Sequence, residues 1–198
     1  MRAIILDMYG VIMKEPGEGF VDFVNQTFPA LTPHDVYEHW LKADLGEISS
    51  LEVLKRLGFS GDLAKIEKDY LDTLEIDMAF YEFANKVKKK DKLGLISDDS
   101  TEWSHYLRDK YSINMFFDAI AISGDIKVKK PSHIIYEHAL KVLNCEPKGC
   151  TYVDDRVENV EAAILLGMKG ILFNSRHVDY SGQIVNNFEE LALMLGYI

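Results

Sequence analysis

Met1-Arg-Ala-Ile-Ile-Leu-Asp-Met-Tyr-Gly-Val-Ile12 is the stretch from which the fold of this chain is read. Ala3 to Leu6 form a short apolar run rich in β-branched residues, the pattern of a strand buried on both faces. The run stops at an acid, Asp7. In an open, mostly parallel α/β sheet the carboxyl ends of the strands line the ligand crevice, so a carboxylate there is placed for chemistry. Gly10, three residues later, permits a tight turn out of the strand. On this stretch alone a second reading stands beside the first, an ordinary aspartate opening a turn.

Strand-then-helix units return after Lys90. Leu93-Gly-Leu-Ile96 is an apolar run ended by Ser97-Asp98-Asp99-Ser100, and Trp103, Leu107 and Tyr111 follow at helical spacing. Ala119-Ile-Ala-Ile122 ends at Ser123-Gly124-Asp125, and a helix after Pro131 carries Ile134, Ile135, Ala139, Leu140 and Leu143. Thr151-Tyr-Val153 ends at Asp154-Asp155, and the next helix places Val160, Ala163, Ile164 and Gly167 on one face. Gly170-Ile-Leu-Phe173 is the last run, followed by a helix with Leu191, Leu193 and Leu195. Strands alternating with helices predict βαβ units and a Rossmann-like, doubly wound parallel sheet, here built from residues 1–13 and 91–198.

Between these parts, from about Glu15 to Lys90, the apolar pattern is helical throughout. Ser49 with Glu52 reads as a capping box, and Pro33 suits a first helical turn. Residues 14–90 are therefore expected to form an inserted α-helical cap over the crevice. Its aromatics Phe20, Phe23, Phe28, Tyr37 and Trp40 are expected to be bundle core rather than pocket lining.

The composition is that of a soluble globular protein. The chain has 198 residues, 47% hydrophobic and 27% charged, enough for a full core. No apolar run approaches bilayer length, and Met1 leads into the strand without signal-peptide features, so the expected location is cytoplasmic. Cys145 and Cys150 lack metal-site spacing and are read as reduced thiols. A formal charge of −10 makes nucleic acid and anionic membranes poor partners, so any anionic substrate must meet local positive charge.

Asp7, Ser97, the Lys127-Val-Lys-Lys-Pro131 segment and Asp154-Asp155 all follow apolar runs or open the helix after one. Converging on one crevice, they supply a hydroxyl, a point positive charge and carboxylates that repel one another unless a hard cation sits among them. That set suits Mg²⁺ and a phosphoryl group, with one carboxylate left to attack. A carboxylate nucleophile needs no base at neutral pH.

The order Asp7-Met-Tyr-Gly-Val11, Ser97, Lys130-Pro131 and Val153-Asp-Asp-Arg-Val-Glu-Asn159 resembles the four ordered motifs of the haloacid-dehalogenase-like hydrolase superfamily. Lys130-Pro-Ser-His-Ile-Ile-Tyr136, the run from Val153 to Ala163 with Leu166-Gly-Met168, and Gly46-Glu-Ile-Ser49 resemble the α-helical-cap branch. That branch includes sugar-phosphate phosphatases and the N-terminal phosphatase domain of epoxide hydrolases. The resemblance implies that Asp7 is the nucleophile and a Mg²⁺ ligand, with the Tyr9 carbonyl as a second ligand. It implies that Ser97 binds a phosphoryl oxygen, that Lys130 neutralises the transferring group, and that Asp155, with Asp154 beside it, holds the metal. The substrate implied is a small phosphorylated metabolite, and the protein a monomer or homodimer.

One departure is Tyr9, where phosphatases of the superfamily usually carry an acid–base aspartate; a phenol is a poor base at neutral pH. Haloacid dehalogenases also have tyrosine there but usually lack paired acids like Asp154-Asp155, which favours the phosphatase. A 2-haloacid dehalogenase and a non-catalytic metabolite-binding module stay open as alternatives. Lys86, Lys88, Lys89 and Lys90, with Lys127 and Lys129, are read as surface charge, and Arg156 as a surface ion pair. The histidines show no i, i+4 pair for zinc. Asn159 is expected to orient the metal ligands, and Asp98 and Asp99 to cap the helix after Ser97, with Asp98 also a candidate substrate contact.

Overall fold

The computed structural model describes residues 2–14 and 19–197; the expected start of the helical stretch at Glu15 lies outside them. Six strands form one sheet: β1 (Ala3–Leu6), β2 (Lys92–Ser97), β3 (Ala119–Ile122), β4 (Cys150–Asp154), β5 (Lys169–Phe173) and β6 (Ile184–Val185). Their order is β3-β2-β1-β4-β5-β6 and every pairing is parallel. β1 lies at the centre, with Leu6 in register with Leu95 on one side and Val153 on the other. The sequence runs predict the first five strands. β6 escapes them because two residues, Ile184 and Val185, are too short to show a period.

Alternation on β1 sorts the two faces. Ile4 and Leu6 face a core shared with Phe80, Phe83, Phe188 and Leu191, whereas Ala3 and Ile5 face Ile135, Tyr136, Ala139 and Ala163. α5 (Ala79–Val87) and α10 (Phe188–Leu195) supply the first face; α8 (His133–Leu143) and α9 (Val157–Leu165) supply the second. Two further helices, α6 (Thr101–Lys110) and the short α7 (Ser123–Ile126), follow β2 and β3. Among the described residues no helix is long and apolar enough to cross a membrane.

The remaining helices, α1 (Gly19–Thr27), α2 (Pro33–Asp44), α3 (Ser50–Arg56) and α4 (Leu63–Thr73), lie with α5 between β1 and β2 in the chain. α5 nonetheless packs on the sheet beside α10, so the last helix of the 14–90 stretch contributes to the sheet layer. The outgoing and returning chains are stitched together by Asp77 N–H to Ile12 C=O at 2.8 Å and Lys14 N–H to Glu75 C=O at 2.9 Å. A second junction joins Gly46 to Gly124. Gly46 has φ of +62°, and a Cβ there would fall 2.1 Å from the Gly124 carbonyl oxygen, so only glycine fits.

Local signals are met with differences. Pro33 opens α2, and Thr32 with Asp35 forms a full capping box. Ser49 caps α3 by accepting from the Glu52 N–H, but the Glu52 carboxylate turns to Arg56, so that box is half made. Asp98 and Asp99 do not cap α6; Ser100 does, accepting from the Trp103 N–H. Ile134, Ile164 and Leu193 are exposed, because the helices face the sheet through Ile135 and Ala139, Val160 and Ala163, and Leu191 and Leu195. Leu191→Ala is accordingly expected to cost roughly 2–5 kcal/mol and Leu193→Ala about 0.5 kcal/mol or less, read by urea unfolding.

Candidate active site

The strand ends bring Asp7, Lys130 and Asp154 together. The Asp7 N–H extends the ladder by donating to Val153 C=O at 2.9 Å, which fixes the backbone of Asp7 beside the end of β4. Lys130 Nζ then lies 2.7 Å from Asp7 Oδ1 and 2.9 Å from Asp154 Oδ2. All three are buried. Burial opposes the lysine's charge, but Asp154 and Asp7 outweigh it and hold its pKa well above the ordinary value. Asp154 also receives the Tyr152 hydroxyl, the Asn159 side-chain N–H at 3.1 Å and the Arg156 backbone N–H at 2.8 Å. Burial raises the pKa of Asp154, and Lys130 with these donors more than reverses it. Asn159, expected to orient the metal ligands, donates to Asp154.

Asp7 has less support. Its Oδ1 accepts the Met8 N–H at 2.7 Å, yet burial and then the charge of Asp154 hold it well above the usual carboxylate range. Asp155 is raised to about 6, first by burial and then by Asp154, against the guanidinium of Arg176, which bonds its Oδ2. Oxygens of Asp7, Asp154 and Asp155 lie within 4.8 Å of one another. Hard oxygen donors with surplus negative charge fit a divalent cation of the Mg²⁺ type. Gly10 keeps this corner open, since at φ +73° a Cβ would sit 2.5 Å from Asp155 Oδ2.

The other predicted residues are placed unevenly. The Tyr9 hydroxyl donates to Asp99 Oδ2 at 3.1 Å, and Asp98 Oδ1 accepts the Lys130 backbone N–H at 2.9 Å. Thus Asp98 and Asp99, expected at a helix cap, instead brace the site. Tyr9, Asp98, Lys130 and Asp155 line one cavity with Asp7. Ser97, at the end of β2, is fully buried; its Oγ has no hydrogen-bond partner. Arg156 pairs with Glu158 at 3.7 Å on the cavity rim, as expected for an exposed ion pair.

That cavity, about 530 Å³, runs from the acids to the inserted helices. Phe20, Tyr37 and Trp40 line it with Tyr70 and Trp103; Phe20 is also buried in the core with Trp40 packed against it, so the expected bundle core is at the same time a cavity wall. Phe23 and Phe28 do pack as core, against Phe59. Lys129 is no surface charge either; its Nζ holds the buried Asp44 Oδ2 at 2.8 Å. The sequence reading missed Asp44, Tyr152 and Arg176. Each had a signal: Asp44 is one helical turn from Trp40, Tyr152 shares a strand face with Asp154, and Arg176 stands just past the end of β5.

The haloacid dehalogenase-like hydrolase family profile matches residues 1–167. Among curated relatives, the drimenol cyclase of Aspergillus calidoustus is 23% identical over 95% of this chain and 37% of its own length. The glyceraldehyde 3-phosphate phosphatase of Methanothermobacter thermautotrophicus is 30% identical over 51% of this chain and 48% of its own. The chain thus spans less than half the length of either. Among solved structures, a family enzyme from Bacteroides thetaiotaomicron in complex with magnesium and inorganic phosphate aligns with TM-score 0.75 at 17% identity, covering 91% of this chain and 98% of that one. A phosphatase from Thermococcus onnurineus aligns with TM-score 0.73 at 20% identity, covering 99% and 98%. The L-2-haloacid dehalogenase of Xanthobacter autotrophicus aligns with TM-score 0.70 at 16% identity, covering 99% and 98%. With the profile spanning most of the chain and the ordered strand-end residues gathered at one crevice, this protein belongs to the haloacid dehalogenase-like hydrolases.

Proposed function

We propose that the chain is a Mg²⁺-dependent hydrolase of small phosphomonoesters acting through an aspartyl-phosphate at Asp7. The observation that carries this reading is the buried gathering of Asp7, Asp154 and Asp155 within 4.8 Å around Lys130. A dehalogenation site has no need of so much carboxylate, whereas a divalent cation requires it as ligands and in turn offsets the charge of a phosphoryl dianion that bare carboxylates would repel. The phosphatase names among the relatives support the same reading.

In the proposed reaction an Asp7 carboxylate oxygen attacks phosphorus, the P–O bond to the alcohol breaks, and water later attacks phosphorus to release phosphate and restore the carboxylate. Lys130 offsets the charge of Asp7 and of the transferring group. Asp7, Asp155 and the Tyr9 carbonyl would hold the metal, with Asp154 beside them. Asp154 has both oxygens engaged by donors, which suits it to fixing Lys130 and the turn that presents Asp155. The bound ion would orient the phosphoryl group and offset its charge. Tyr9 lines the cavity beside Asp7, and we assign its hydroxyl proton, held on Asp99 in the free chain, to the departing oxygen; the tyrosinate left behind then takes the proton of the attacking water.

The deciding experiment is phosphate release from p-nitrophenyl phosphate and a panel of metabolite monophosphates, with Mg²⁺ and with EDTA. Metal-dependent release that disappears in Asp7→Asn supports the assignment; full activity in that variant removes it. Halide release from a 2-haloacid that persists in EDTA, without phosphate release, would replace it with a dehalogenase, and metabolite binding without turnover with a binding module. Tyr9→Phe is expected to slow alkyl phosphates by about 10²-fold and p-nitrophenyl phosphate far less, because nitrophenolate departs without a proton. Lys130→Met is expected to cost roughly 3–5 kcal/mol of stability besides activity, since it strands buried carboxylates; denaturant titration measures it.

A further inference from the structure

The far half of the cavity combines two features that the phosphoryl chemistry does not use. One is the aromatic wall of Phe20, Tyr37, Trp40, Tyr70 and Trp103. Trp40 and Trp103 stand 4.0 Å apart between ring centroids, and Trp103 is fixed by its Nε1–H to Glu67 Oε1 at 2.7 Å. The other is a buried carboxylate. Asp44, at the end of α2, is 4% exposed and lines the cavity; Lys129 takes its Oδ2 and its Oδ1 has no partner.

Buried carboxylate oxygens without donors are costly, and an apolar guest would leave them so. An anionic guest would be repelled, because Lys129 already serves Asp44 and lies 4.0 Å from Asp98. A cation instead offsets the buried negative charge, with or without an N–H to donate. Aromatic faces attract an ammonium through their quadrupoles, and most strongly where water is excluded.

We propose that this half of the cavity binds the ammonium group of the substrate, which is therefore an alkylammonium phosphomonoester: phosphate at Asp7 and Lys130, cation beside Tyr37, Trp40 and Asp44. This rests on the phosphatase reading and names its substrate class.

The two tryptophans of the chain, Trp40 and Trp103, both line the site, so intrinsic fluorescence reports binding without turnover. Phosphocholine is compared in EDTA with neohexyl phosphate, in which carbon replaces the nitrogen. The parent chain is expected to bind phosphocholine about tenfold more tightly, and choline more tightly than neohexanol by a similar factor. The preference should collapse in Asp44→Asn and grow in Lys129→Met, which frees the carboxylate. Equal affinities in the parent chain, tighter binding of the neutral compounds, or an unchanged preference in a folded Asp44→Asn would overturn the proposal. Hydrolysis of p-nitrophenyl phosphate, measured alongside, separates the two readings. Turnover without cation preference leaves the phosphatase standing and removes the ammonium site. Cation preference without any turnover keeps the subsite and removes the phosphatase.

Discussion

A single buried ammonium holds this site together. The parallel register sets Asp7 beside the end of β4, where Asp154 closes the strand, and two carboxylates so close in a dry interior repel. Lys130 Nζ between them makes the arrangement tolerable, and its backbone N–H is anchored in turn by Asp98. Around this pair the neighbours are donors: Tyr152, Asn159 and the Arg156 N–H converge on Asp154. Asp7 has only Lys130 and the Met8 N–H to set against burial and the charge of Asp154, and its carboxyl is held well above the usual range.

The crevice is therefore divided by physical character. Its floor belongs to the sheet and is a dense set of charges held by main-chain register. Its walls come mainly from the inserted helices and are aromatic, with one acid, Asp44, whose carboxylate is raised to about 6 by burial against the pull of Lys129. Floor and walls meet at points that include Gly46 against Gly124, Lys129 with Asp44, Trp103 with Trp40 and Glu67, and Tyr106 and Lys110 with Asp72. Each crosses from an inserted helix, or the turn after one, to a loop or helix at the strand ends. Chemistry can stay constant on the floor while the walls select the substrate.

Much of the floor was legible in the chain. A strand buried on both faces must be a continuous apolar run, and the residue ending it must lie at the crevice, so Asp7, Ser97 and Asp154 could be placed from pattern alone. The walls were not legible, because Phe20 and Trp40 at helical spacing look the same whether the stripe meets another helix or an open cavity. Asp98 and Asp99 were misread for a related reason. A carboxylate before a helix reads as a cap, and only the fold reveals that Ser100 takes that place while Lys130 and Tyr9 claim the two acids.

What the sequence determined by itself is the parallel sheet, the burial of β1 on both faces and the order of chemistry-bearing strand ends, since burial periodicity and chain polarity are local properties. Only the tertiary structure decided that Arg176 reaches Asp155, that Lys129 reaches Asp44 across 85 positions of chain, and that aromatics from separate helices enclose one cavity. Those pairings depend on how layers dock, and the docking is set by packing the whole core at once, which no window of sequence contains.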